Sequence, residues 1–228
     1  MMRGRLYYDG ISIPNRRRVN MDSLLIKERA VCGKQVCLAV VCDGVGSLES
    51  GAFAASEAVQ RLGIWLDGLD ELSRAGLNLR NAVLRINTEI ADCAQQQGIR
   101  TATTLSALLL VEGQYYIVHA GDSRIYTCTE DGIRQLTRDD VDSDGKLTQC
   151  IGRSRRVTLF YNEGTSEGSL FLLCSDGLYK RMEPEYFHQQ LGLVRRNELH
   201  QTIENLVEHV VDRGETDNIS IAIVKSRG

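Results

Sequence analysis

The chain has 228 residues, 43% hydrophobic and 25% charged, with 27 Lys plus Arg against 30 Asp plus Glu and a net charge of -3. That length and balance fit one globular domain with a sizeable core and exclude a disordered or fibrous chain. They give no overall field for nucleic acid or anionic lipid, no apolar run reaches the roughly 18 residues of a membrane span, and residues 1–10 lack the apolar core of a secretory leader.

Strands are expected at residues 3–8, 23–31 and 35–42; the last is a valine-rich apolar run suited to burial on both faces. Two helices follow. Residues 49–66 carry apolar side chains at 55, 58, 59, 62, 65 and 66, with Trp65 expected in the core. Residues 72–97 align Leu79, Val83, Ile86 and Ile90 on one stripe. Short β-rich runs at 103–111, 114–119, 124–128 and 133–136, punctuated by Glu112-Gly113, Ala120-Gly121-Asp122 and Glu130-Asp131-Gly132, read as an antiparallel meander. Strands at 157–162 and 170–174, a helix at 197–211 and a strand at 218–224 complete the chain. Consecutive helices between blocks of strands are not the β-α-β-α order of a parallel sheet. The expected fold is a four-layer α-β-β-α sandwich, two antiparallel sheets face to face with helices outside.

The seven cysteines, Cys32, Cys37, Cys42, Cys93, Cys128, Cys150 and Cys174, are odd in number and contain no CxxC. Reduced, mostly buried thiols are expected rather than a disulfide or zinc framework. Cys37 and Cys42, five apart on one strand, should point to opposite faces.

The placing of the aspartates carries the chemistry. Asp43, Asp176 and Asp217 each stand at the end of a buried strand, Asp122 lies between two strand runs, and Asp22 precedes another. A single Asp-Gly is an ordinary turn; the information is in the set. Several carboxylates gathered at one sheet edge repel unless a cation joins them. Oxygen-only donors suit the hard ions Mg²⁺ or Mn²⁺.

The motifs that contain these residues resemble those of the type 2C metal-dependent serine/threonine protein phosphatases, in the compact form common in bacteria. In order along nearly the whole chain stand Arg17-Arg-Val-Asn20-Met-Asp22, Val41-Cys-Asp43-Gly44-Val-Gly46, Thr103-Thr104-Leu105, Gly121-Asp122-Ser123-Arg124, Leu136-Thr-Arg-Asp139, Ile151-Gly152, Cys174-Ser175-Asp176-Gly177-Leu178 and Asp217-Asn218. The resemblance implies hydrolysis of phosphoserine and phosphothreonine in proteins by a water activated between two Mn²⁺ or Mg²⁺ ions. It implies that Asp43 bridges the ions, that Asp176 and Asp217 complete the protein ligands of the first, and that the Gly44 carbonyl binds the second. Asp22 acts through metal-bound water, and Arg17 grips the substrate phosphate with its planar fork. A third, weaker ion is implied at Asp122 and Asp176.

The chain departs from the pattern at Met21 (Glu or Gln in many relatives), at Ser47 (glycine), at Asp139-Asp140 (Asp-His) and at Lys180 (aspartate). Lys180 should leave the third site empty or very weak, its ammonium pairing with Asp122 or pointing to solvent. The segment after Asp139 is short, so a reduced flap near 139–152 and a more open site are expected. Asp140-Val-Asp142-Ser-Asp144-Gly145 imitates the start of an EF-hand loop, but Ile151 occupies the position of its bidentate glutamate; a solvated acidic turn is expected. Arg16 and Arg18 read as surface charges. His119 reads as structural, with proton donation to the leaving group as the alternative.

Residues 1–228 are thus expected to form a single cytoplasmic, monomeric phosphatase domain that acts on phosphorylated proteins of a cytosolic serine/threonine kinase. The alternatives are a phosphoprotein-binding pseudophosphatase and a phosphatase dedicated to one regulatory partner.

Overall fold

The computed structural model describes residues 6–226 except 47, 49, 130, 131, 193 and 195–197. Among these, the chain runs β1 (Tyr7–Ile13), β2 (Asp22–Val31), β3 (Lys34–Asp43), α1 (Gly51–Asp67), α2 (Ala75–Gln97), β4 (Leu105–Val111), β5 (Gln114–Ala120), β6 (Arg124–Thr129) and β7 (Gly132–Gln135). It continues with β8 (Phe160–Thr165), β9 (Leu170–Cys174), α3 (Asp176–Tyr179), α4 (Pro184–Gly192), α5 (Leu199–Asp212) and β10 (Ile219–Lys225). One sheet has the order β2-β3-β4-β5-β8 and the other β1-β10-β9-β6-β7, with all pairings antiparallel.

Side-chain alternation builds the layers. In β3, Val36, Leu38, Val40 and Cys42 pack against α1 and α2, whereas Cys37, Ala39 and Val41 face the second sheet. In β9, Phe171 and Leu173 enter the space between the sheets, and Leu170, Leu172 and Cys174 face α4 and α5. Each central strand is apolar on both faces because helices cover the outside of both sheets, which gives the four layers read from the sequence. The α2 stripe of Leu79, Val83, Ile86 and Ile90 is fully buried.

Several elements differ from expectation. β1 lies at Tyr7–Ile13 rather than 3–8, of which residues 3–5 fall outside the described set. β8 begins three residues later than 157. Both are outermost strands held on one side only, so packing constrains their limits weakly. Helices α3 and α4 were not anticipated; their apolar signal is slight, with only Phe187 and Leu191 buried in α4. Glu49, Glu130, Asp131 and Asn197, placed in elements or turns from the sequence, lie outside the described residues, as does Ser47. Trp65 is half-buried at the margin of the helical core rather than within it.

All seven cysteines are unpaired, and Cys32 alone among them is exposed. No described helix is long and apolar enough to cross a membrane. The acidic turn after Asp139 has no flanking helices: it closes on itself, with Asp142 Oδ1 accepting the N–H groups of Asp144 and Lys146 at 2.9 Å each.

Candidate active site

Both sheets bring strand ends to one edge. Asp43 closes β3 and Asp22 opens β2, so the two are direct partners across the ladder. From the other sheet, Asp176 follows β9 and opens α3, Asp217 stands two residues before β10, and Asp122 lies in the β5–β6 turn. A cleft of about 320 Å³ is lined by Arg17, Asp43, Gly44, Asp122, Asp176 and Asp217, together with Met21, Thr104, Leu147 and Asn218. The structure thus gathers six of the seven residues singled out from the sequence. The seventh, Asp22, lies behind the cleft wall and is only 7% exposed. A larger hollow, about 830 Å³, lies on the outer face of α1 and α2 and contains none of these residues.

Backbone geometry fixes the carboxylates. Asp43 N–H donates to Thr104 Oγ1 at 2.9 Å, and the Asp43 carbonyl accepts from Thr103 Oγ1 and Thr104 N–H, both at 2.9 Å. Gly44 packs backbone to backbone on the start of α1: a Cβ there would lie 2.6 Å from Gly51 C and Met21 O, which forbids any side chain. Gly177 is under the same constraint, since its Cβ would meet Asn218 O at 2.1 Å. Asn218 organises the arginine loop. Its amide donates to Pro14 O and Val19 O at 3.0 Å, and its Oδ1 accepts Met21 N–H at 2.9 Å. Arg124 grips Asp139 through Nη2 at 2.6 Å and lies 3.6 Å over the Tyr179 ring, tying the β6 start to the flap and to α3.

The electrostatics follow from crowding. Burial, reinforced by Asp176 and Asp217, pushes Asp22 up to about 6. Burial, then Asp22, Asp176, Asp122 and Asp217, holds Asp43 well above the usual carboxylate range. Burial and Asp176 push Asp122 up to about 6 against the opposing field of Lys180. Asp22 Oδ2 accepts from Ser175 Oγ at 2.8 Å, while its buried Oδ1 has no hydrogen-bond partner.

Two cations answer this charge. Arg17 makes a two-pronged contact with Asp217, Nε to Oδ1 at 3.1 Å and Nη2 to Oδ2 at 2.9 Å. Lys180 Nζ donates to Asp176 Oδ2, one turn along α3. Lys180 therefore neither pairs with Asp122 nor points freely to solvent, the two placements read from the sequence; the i,i+4 spacing on α3 brings Asp176 within its reach. Among the described residues, no group of three or more carboxylates, histidines or cysteines is placed to hold a metal ion. The donor set is nevertheless one for hard divalent cations: oxygen atoms without histidine or cysteine in the cleft, an orphaned buried carboxylate oxygen, and mutual repulsion that a cation would relieve.

His119 is not in the cleft. It is fully buried, with Nδ1 2.9 Å from Ser106 Oγ and Nε2 facing the carbonyls of Gly121 and Arg138 at 3.0 and 3.1 Å; burial lowers its pKa. It braces the Asp122 turn against the flap, in keeping with the structural reading. Sequence reasoning missed the parts played by Asn218, Thr104, Ser175 and Arg124. All four stand within recognised motifs, and their polar type beside apolar strands was the available signal.

Comparison with known proteins agrees with this architecture. The Staphylococcus aureus serine/threonine phosphatase Stp1 has the same fold, with a TM-score of 0.88 at 22% identity over 98% of this chain and 96% of that one. The catalytic domain of the serine/threonine protein phosphatase PstP, solved in complex with two manganese ions, gives 0.81 at 25% identity over 98% and 99%. In sequence, the serine/threonine phosphatase Stp of Listeria innocua is 27% identical over 213 residues, 82% of this chain and 84% of its own. The family model for protein phosphatase 2C matches residues 16–211. The chain belongs to the protein phosphatase 2C family and is a serine/threonine protein phosphatase.

Proposed function

We propose that the Asp43 cleft is the catalytic centre and hydrolyses phosphoserine and phosphothreonine esters with two hard divalent ions, Mn²⁺ or Mg²⁺. The observation that carries this reading is the convergence of Asp43, Asp122, Asp176, Asp217 and Arg17 on one cleft from both sheets. The two manganese ions of the PstP structure support the same ion number here. Asp43 would be shared by both ions, Asp176 and Asp217 would complete the protein ligands of the first, the Gly44 carbonyl would bind the second, and Asp122 would be in reserve for a third, weaker one. Such ions, when bound, lower the pKa of water and offset charge on phosphoryl oxygens.

The chain's own residues do the rest. Arg17 binds and orients the phosphate by its paired N–H groups, exchanging Asp217 for the substrate. Asp22, held by Ser175 and paired across the ladder with Asp43, would act on the bound ions through water rather than by direct contact. Asn218 sets the position of the Arg17 loop. Leu147 contributes an apolar wall from the flap.

In this reading residues 1–228 form one catalytic domain with a reduced flap near 139–152. It acts in the cytoplasm as a monomer in signalling, on phosphoproteins made by a serine/threonine kinase. A pseudophosphatase is disfavoured, because Asp43, Asp176 and Asp217 are all retained. The test is turnover of matched phosphoserine, phosphothreonine and phosphotyrosine peptides with Mn²⁺. Selective hydrolysis of the first two is expected; hydrolysis of none would overturn the proposal.

A further inference from the structure

A second groove, about 260 Å³, shares no lining residue with the cleft and is not used by the chemistry above. Its floor is apolar, with Leu48, Ala94 and Ile99, and its rim carries Arg100, Arg153 and Arg155. All three arginines are exposed. Among the described residues, Asp92 is the one carboxylate in ion-pair contact with them, 3.2 Å from Arg155 Nε. In a chain of net charge -3, this is a local concentration of positive charge.

The groove is built onto the catalytic wall. Gly44, which lines the cleft, is bridged to Thr103, and Thr103 is bridged to Ile151. The neighbouring Thr101 and Gly152 line the groove. Two inter-strand spacings of about 4.8 Å place Ile151, the neighbour of the groove's Gly152, roughly 10 Å from Gly44, the length of about three residues of extended peptide. The flap joins the two spaces as well. Leu147 lines the cleft, and its carbonyl accepts from Arg153 Nη1 at 3.0 Å, while Thr148 O accepts from Nη2 at 2.9 Å.

We propose that this groove is a substrate subsite for acidic side chains about three residues from the phosphorylated one, on one side of it. The inference rests on the reading of the Asp43 cleft as the catalytic centre. Arg100 and Arg155 supply the attraction and the apolar floor accepts the aliphatic stem of a glutamate. Arg153, already engaged with two flap carbonyls, keeps the rim in place. Exposed charge pairs are individually weak, so the two arginines together should give roughly a 2- to 10-fold preference.

The test uses three phosphothreonine peptides, one with an alanine background, one with glutamates three and four residues on the amino side, and one with them on the carboxyl side. They are assayed with Mn²⁺ on the parent protein and on the double variant Arg100→Gln, Arg155→Gln, with p-nitrophenyl phosphate as a substrate too small to reach the groove. The parent should favour one acidic peptide through a lower KM at unchanged kcat. That preference should fall away in about 1 M salt, where the screening length is near 3 Å. The double variant should lose the preference and keep its p-nitrophenyl phosphate turnover. Asp92→Asn, which releases Arg155, should enlarge it. Equal KM for all three peptides in the parent, or a preference that survives in the double variant, would overturn the subsite alone. Absence of p-nitrophenyl phosphate turnover in the parent would overturn the catalytic reading and the subsite with it.

Discussion

Asp22 and Asp43 stand directly opposite each other on adjacent antiparallel strands, two carboxylates at one rung of the β2–β3 ladder. Like charges so placed are destabilising; burial first, and then the surrounding carboxylates, raise the pKa of both. A carboxyl whose folded pKa lies above its unfolded value binds more protons when folded. Stability therefore falls as pH rises from the unfolded value near 4 through the folded value of about 6 for Asp22. A shift of this size on a buried group corresponds to about 3 kcal/mol. EDTA-treated protein should show a higher Tm at pH 5 than at pH 7.5, read by calorimetry, and Asp43→Asn should raise the pH 7.5 value by at least about 2 °C. A Tm that rises steadily from pH 5 to 7.5 would contradict this.

Arg17 is half-exposed and held by Asp217, so its loss should leave the fold intact. Phosphate contact in both ground and transition states makes much of its contribution uniform binding. Arg17→Ala should raise KM for phosphopeptides with a smaller fall in kcat. A charged hydrogen-bonded contact of about 1.5–3 kcal/mol implies a loss in kcat/KM of about 10- to 150-fold. Unchanged kcat/KM would remove Arg17 from substrate binding.

Lys180 occupies Asp176 with its ammonium, which gives the third-ion expectation a structural cause. The parent should bind two Mn²⁺ per chain in calorimetric titration. Lys180→Asp, which exchanges the competing cation for a further carboxylate beside Asp122 and Asp176, should add a third, weaker event. Three events in the parent, or two in the variant, would show that Lys180 does not govern the site.

The cysteines offer a check on the fold itself. Only Cys32, in the β2–β3 turn, is exposed; Cys93 is partly covered, and burial raises the thiol pKa of Cys37, Cys42, Cys128, Cys150 and Cys174. A thiol reagent at pH 8 should label Cys32 quickly, Cys93 slowly and the others only on unfolding. Rapid labelling of five or more sites would contradict the layer assignment, and a reductant should leave Tm unchanged.

How much of this was legible depended on how strongly each segment is held. β3 and β10 are covered on both faces, so their apolar runs announced them, and Asp43 and Asp217 beside them marked the site. β1 and β8 are outermost strands, and their limits were misread by several residues. α4 offered only Phe187 and Leu191 as core contacts, although Pro184 at its first position is a helix-start signal that was passed over. Within the site, the identity of the carboxylates was readable from the set: one Asp-Gly is an ordinary turn, but several carboxylates at the ends of buried strands repel unless a cation joins them. Their partners were not. The contacts of Arg17 with Asp217 and of Ser175 with Asp22 join residues 200 and 153 positions apart, which no local pattern encodes.

The central claim is that these carboxylates work through hard divalent ions. Its most direct measurement is phosphothreonine-peptide turnover by the parent and by Asp43→Asn, each stripped with EDTA and then titrated with Mn²⁺. The parent should lose activity with EDTA and recover it with Mn²⁺, while folded Asp43→Asn stays inactive at every Mn²⁺ concentration. Undiminished turnover in excess EDTA, or Asp43→Asn working at the parental rate, would contradict the account.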